Sequence, residues 1–269
     1  MTKTLRCPHL CLFPILQCLA FTIAVARWPD HPLGAIVALV GAALALSFSV
    51  HIAFHELVHV SARSDGRGWL PASLLATLWM GLPFDRYRWH HDMHHRHDNS
   101  LEDYSCTWQV VEGVKLPRHP AWYSLFWPFQ LMRGRDDFSR QLEVGKAPLW
   151  IHERIQYEKA LLIFWFVMLM AWNPVVLLGY LLMMYAGWAL ISLHNYGQHL
   201  PTKPETMATS FQNVWYNRFF CNNGIHFEHH CLPEIPCHEL KSRADAPLKI
   251  HLPHLVNPLF FSTLERSRA

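Results

Sequence analysis

Charge is scarce in this chain of 269 residues: Asp, Glu, Lys and Arg make up 16% of it, against 51% hydrophobic residues. A soluble domain carries roughly 25% charge, so the shortage points to lipid as the main surroundings. The net charge is only +3, which supplies no field for nucleic acid. Seven cysteines (Cys7, Cys11, Cys18, Cys106, Cys221, Cys231, Cys237) form no CxxC pair and no even framework. That argues against a disulfide scaffold and favours reduced thiols. A Gly-rich dinucleotide fingerprint, a haem-binding domain and a four-cysteine iron site are all missing, so any electrons used here come from another protein. No internal repeat or low-complexity linker divides the chain. The expectation is one integral-membrane domain over 1–269.

What is present begins with long uncharged runs. Leu10–Ala26 and Gly34–Phe54 contain no Asp, Glu, Lys or Arg. At about 1.5 Å per residue they cross, or nearly cross, a hydrocarbon core of roughly 30 Å. A third run, Ala160–Leu193, would measure about 51 Å as one helix, too long for a single crossing. Asn173-Pro174 lies inside it, and proline removes an amide donor while restricting the residue before it. The run therefore splits near Asn173. Its first half is expected to start upstream of Glu158 and Lys159, with their charged heads snorkelling to the interface. The fold class that follows is an all-α membrane protein with four transmembrane helices in two hairpins.

Of the 23 Lys and Arg residues, only Arg27 falls in an outer loop. This bias places the N-terminus and the two large polar regions in the cytoplasm. Lys3 and Arg6 before an apolar stretch ending Ala24-Val25-Ala26 imitate a signal peptide; the second apolar run follows at once, and a hairpin is the better reading. Two short aromatic-rich stretches, Trp69–Phe84 and Ala121–Met132, are expected to be interfacial helices. The tryptophans read as interface anchors.

The most informative residues are histidines in clusters: His55/His59, His91/His94/His95, His199 with Asn195, and His226/His229/His230. Offsets of three and four put each set on one helix face, so several imidazoles point one way. Neutral imidazole suits iron, copper, nickel and zinc. One ion rarely takes more than six ligands, so the number argues for two. His55-Glu56-Leu57-Val58-His59 also spells HExxH, in which two histidines hold zinc and the glutamate acts as base. A zinc protease needs only one or two further ligands and leaves the remaining boxes unexplained. A non-catalytic metal-binding membrane protein is a further alternative.

Three features stand in chain order: HxxxH at the end of the second span, YRxxHxxHHxxxN from Tyr87 to Asn99, and NxxxH from Asn195 to His199 followed by HxxHH-xx-P from His226 to Pro233. In this the chain resembles the membrane fatty acid desaturase family. The likeness runs from roughly His55 to Leu240. It implies that His55, His59, His91, His94, His95, His199, His226, His229 and His230 bind two irons, with Asn195 approaching one of them through water. It also implies a cytoplasmic helical cap carrying the boxes, O₂ as co-substrate, a lipid or acyl substrate, and a separate electron donor of ferredoxin, rubredoxin or cytochrome type. Basic residues between Arg86 and Arg140 offer such a donor, or lipid, a surface. Desaturation leads; a hydroxylase, ketolase or oxidative decarboxylase acting on an alkyl, carotenoid or acyl substrate shares the same boxes.

Smaller expectations complete the reading. Gly197 weakens helix through the intermediate box. His51, one turn before His55, reads as a core or tunnel-lining residue ahead of a direct metal ligand. His90 and His97 fall off the shared face of their box. His119, His152, His238, His251 and His254 have no matching set and read as surface or interfacial. Glu56, Asp92, Glu102, Asp103 and Glu228 are candidates to accept the second ring N–H of metal-bound histidines, Asp103 foremost.

Overall fold

A computed structural model describes residues 9–63, 70–133, 147–200, 207–242 and 249–250. Lys3, Arg6, Cys7, Trp69, Arg140, His251 and His254 lie outside the described residues. The chain forms two compact units: 1–89 with 131–190, and 90–130 with 191–269.

The first unit is built from apolar helices. Helix α1 (His9–Arg27) packs along α2 (Pro32–Phe48). Proline at the first position of α2 suits a site whose amide would have no partner in any case. Helix α2 runs into a π-helical turn, Ser49–Phe54, and then α3 (His55–Arg63). The hydroxyl of Ser49 donates to the Ala45 carbonyl at 2.7 Å, a back-bond that competes with the ordinary ladder. The wider turn shifts the helical phase between His51 and His55, so the α-helical spacing expected for that pair does not hold. His51 itself is buried.

Helices α4 (Leu70–Met80) and α5 (Phe84–His97) follow, and after α6 (Pro120–Arg133) come α7 (Leu149–Trp172) and α8 (Pro174–Gln198). The break between α7 and α8 falls at Asn173, whose side-chain oxygen accepts the Val175 N–H at 2.9 Å and caps α8. Helix α8 approaches α2 closely: a Cβ on Gly187 would lie 2.5 Å from Leu46 Cδ2, so a side chain there has no room. Among the described residues three helices are long and apolar enough to cross a membrane, namely Pro32–Ser61, Leu149–Trp172 and Pro174–Gln198; Cys11–Arg27 is apolar but shorter.

Three expectations need correction. Glu158 does not snorkel. It is fully buried and accepts the Asp85 N–H at 3.0 Å. Beside it Asp85 pairs with Arg154 at 2.6 Å and Arg88 at 3.1 Å, so charge is tolerated there because partners surround it. Lys159 is exposed. Second, helix continues through Gly197 to Gln198, since the roughly 1 kcal/mol cost of one glycine is small beside the rest of a long helix. Third, not every tryptophan is an anchor: Trp89, Trp108, Trp127 and Trp188 are buried, and Trp188 donates to the Met80 carbonyl at 2.9 Å. Trp28, Trp122, Trp172 and Trp215 are exposed.

The second unit holds the last residues of α5 and α8, most of α6, and short elements. A hairpin pairs β1 (Trp108–Val111) with β2 (Val114–Pro117). Strand β3 (Ser210–Phe211) pairs in parallel with β4 (Lys249–Ile250) and bridges Ile225. Helices α9 (Val214–Phe219) and α10 (His226–Cys231) complete it. None of the six described cysteines forms a disulfide.

Candidate metal centre

Within the second unit, α5, the end of α8 and α10 bring seven histidines into two adjoining sets. His94, His199, His226 and His230 each offer a ring nitrogen within 4.8 Å of the others, and so do His91, His95 and His229. In the first set Nε2 of His230 lies 3.2 Å from Nε2 of His226. In the second, Nε2 of His95 lies 3.0 Å from Nε2 of both His91 and His229. Two imidazole nitrogens at about 2.1 Å from one ion and at right angles would themselves be about 3.0 Å apart. Lone pairs drawn this close need a shared proton or a shared cation.

The far side of three rings in the first set is tied down. Nδ1 of His94 is 2.7 Å from Asp103 Oδ2, Nδ1 of His230 is 2.7 Å from Asp98 Oδ1, and Nδ1 of His199 donates to the Met207 carbonyl. Each of these partners only accepts, so the proton sits on Nδ1 and Nε2 keeps its lone pair for a metal. Nε2 of His94 and of His199 is buried with no hydrogen-bond partner among the described residues. Buried polar atoms are costly to leave unmet, and here two of them stand in a set of four imidazoles. The residues present fit a metal ion.

Electrostatics agree. Burial, and then His94 whenever it is protonated, push the His199 pKa down to about 3. Burial, with the neighbouring histidines, also drives His230 well below its usual value. Both rings are neutral at physiological pH, as ligands must be. His94 moves the other way. Burial works to lower its pKa, but the charge of Asp103 and the hydrogen bond to it outweigh burial, and the net shift is upward. Asp103 is correspondingly lowered: burial opposes its ionisation and the charge of His94 overcomes it.

Local sequence explains how these groups are held. Helix α5 ends with Asp98 and Asn99 at φ 43° and 62°, a left-handed conformation that Asp and Asn tolerate better than most residues. Asn99 then stitches the following loop together, donating its N–H to Asp103 at 3.0 Å and accepting from the Thr107 N–H at 2.8 Å. Before α10, a Cβ on Gly224 would lie 2.8 Å from the Phe211 carbonyl oxygen, so only glycine lets the chain pass. Gln198 ties the end of α8 to this loop, donating to the Asn223 carbonyl at 3.2 Å, and Ser210 donates to the buried carboxylate of Glu228.

The remaining expected residues are placed as follows. His55 and His59 lie side by side in the first unit with ring centroids 4.9 Å apart. Asn195 donates its amide N–H to the Tyr123 hydroxyl at 3.0 Å. His90 bonds the Ser105 hydroxyl at 2.8 Å. His119 belongs to neither set within its unit, and His238 lies 3.8 Å from Glu239. Asp103 occupies the position expected of it. Asp92 instead pairs with Arg96 at 2.7 Å, and Glu102 accepts from Ser100. Asp98 was not expected; the signal available was an Asp-Asn pair at the end of a histidine-bearing helix.

Comparison with protein families finds that the family model described as "Fatty acid desaturase" matches residues 30–254. A search of curated proteins and one of solved structures find no match.

Proposed function

Given that the chain belongs to the fatty acid desaturase family, an oxidoreductase family of membrane proteins, we propose that it is an O₂-dependent di-iron enzyme that introduces a double bond into a fatty acyl chain. One observation carries this reading: two adjoining all-histidine sets in one unit, with ring protons anchored on carboxylates and a carbonyl. A single tetrahedral zinc needs no more than four ligands, and seven gathered imidazoles exceed that. The HExxH protease reading is correspondingly weaker.

In this proposal His94, His199, His226 and His230 hold one iron. His91, His95 and His229 belong to the other; the family resemblance adds His55 and His59 to the ligands of the two irons, with Asn195 approaching one iron through water. Bound iron supplies the redox chemistry that activates O₂ toward an unactivated C–H bond. The protein's part is orientation and exclusion. Asp103, Asp98 and the Met207 carbonyl fix the tautomers of three ligands. The fully buried Tyr196, Leu200 and Phe211 form dry walls near the end of α8, where keeping water out strengthens every charge interaction.

We further propose that α1 acts as a fourth span, at about 28 Å for its length, giving two hairpins with the histidine cap on the cytoplasmic side. The charge asymmetry of the loops supports this orientation. A separate electron donor docks on that side, since the sequence holds no redox motif of its own beyond the boxes.

The test is expression in a host of defined lipid composition, with lipids compared by mass spectrometry and metals by elemental assay. A new double bond, dependent on O₂ and on His94, with two irons per chain is expected. An alcohol, ketone or shortened alkane as the product would replace desaturation by the corresponding oxidation; a single zinc with peptide cleavage would overturn the proposal.

A further inference from the structure

Asn195 is reached by a chain of hydrogen bonds whose directions are all forced. The Tyr123 hydroxyl lies 2.9 Å from the Ser105 carbonyl oxygen. A carbonyl can only accept, so the phenol proton is committed to it. The phenol oxygen is left with lone pairs alone, and the carboxamide group it meets at 3.0 Å must be the NH₂ of Asn195. The carbonyl oxygen Oδ1 of Asn195 therefore faces away from Tyr123. Asn195 lies in the last turn of α8, and His199 directly follows the helix. Ser105 is itself fixed, with its N–H donated to Asp103 Oδ1 at 2.8 Å while the other oxygen of that carboxylate takes His94 Nδ1. Tyr123 is buried, so water does not substitute readily for its hydroxyl.

We propose that Tyr123 is a positioning residue that selects which end of the Asn195 carboxamide is presented toward the metal centre, the oxygen rather than the nitrogen. This rests on the reading above in which Asn195 approaches iron. A carboxamide oxygen accepts a hydrogen bond from an iron-bound water, whereas the NH₂ end would repel that water's protons. Without the phenol the amide is free to turn over.

The test is Tyr123→Phe in the full-length, iron-loaded protein. The iron content is expected to stay at the wild-type value. In the anaerobically reduced protein, the Mössbauer signal of one ferrous site is expected to shift while that of the other holds. Oxygen consumed per lipid oxidised is expected to rise roughly five- to tenfold, the size of one neutral hydrogen bond. In an Asn195→Ala background the Tyr123→Phe change is expected to add nothing to the spectrum, because Tyr123 acts only through Asn195. Should Tyr123→Phe lose the fold, 3,5-difluorotyrosine at position 123 keeps the shape and weakens the acceptor, with a smaller shift of the same site expected. A wild-type spectrum and coupling in a folded Tyr123 variant, or additive effects in the double variant, would overturn the role of Tyr123 alone. A wild-type protein that takes up no iron would overturn the di-iron reading, and this inference with it.

Discussion

Asp98 Oδ1 and His230 Nδ1, 132 residues apart in the chain, meet at 2.7 Å. Because burial and neighbouring histidines keep His230 neutral, this is a hydrogen bond from a neutral imidazole to a carboxylate, not an ion pair. It orients a ring whose other nitrogen sits among three further imidazoles.

Asp98→Ala is expected to weaken iron binding by roughly 10- to 100-fold, the usual effect of removing a group that orients a metal-bound histidine. Iron retained after dialysis against a graded chelator measures this. Retention equal to wild type would mean that His230 needs no external orientation.

His94→Ala and His229→Ala are each expected to abolish lipid oxidation while leaving the amount of protein in the membrane fraction unchanged. Both residues lie outside the helices long enough to span, so insertion does not depend on them. Product analysis beside quantitative blotting of membranes separates the two effects; full turnover in either variant removes that residue from the ligand set.

Leu44→Asp is expected to reduce membrane yield. Leu44 lies within α2 with 45% of its surface exposed, and a charge at mid-span costs roughly 2.5–3.5 kcal/mol on insertion scales. Undiminished yield would argue against α2 as a span.

Acid is expected to destabilise the metal-free protein through His199. Its folded pKa, about 3, lies below the unfolded value of about 6.5. The neutral buried ring therefore contributes its full stability above about pH 6.5, and this is lost as pH falls toward the folded value. His230 works in the same direction. His94, raised by Asp103, opposes them: its contribution is present below about pH 6.5 and is lost as pH rises through its folded value. The thermal midpoint in detergent should fall between about pH 7.5 and pH 5, and His199→Gln should flatten that fall. A midpoint in the His199 variant that keeps the full wild-type slope would contradict this assignment.

Much of the architecture was readable because lipid imposes a simple rule. A run without charge must form helix to satisfy its backbone, and Asn173-Pro174 marked the α7–α8 break to the residue. The exceptions arose where neighbours changed the cost of a local choice. Glu158 reads as a snorkelling residue until Asp85 and its arginine partners are seen around it, and Gly197 reads as a helix breaker until the length of α8 is known.

The site divides in the same way. Spacing alone determined that each histidine box presents several rings on one face, since the α-helical period is a local property of the backbone. Which ring nitrogen bears the proton was decided by tertiary structure, because Asp98, Asp103 and the Met207 carbonyl reach their histidines through folds of the chain that no local period encodes. These acceptors leave Nε2 of His94, His199 and His230 with its lone pair inside one set of four imidazoles.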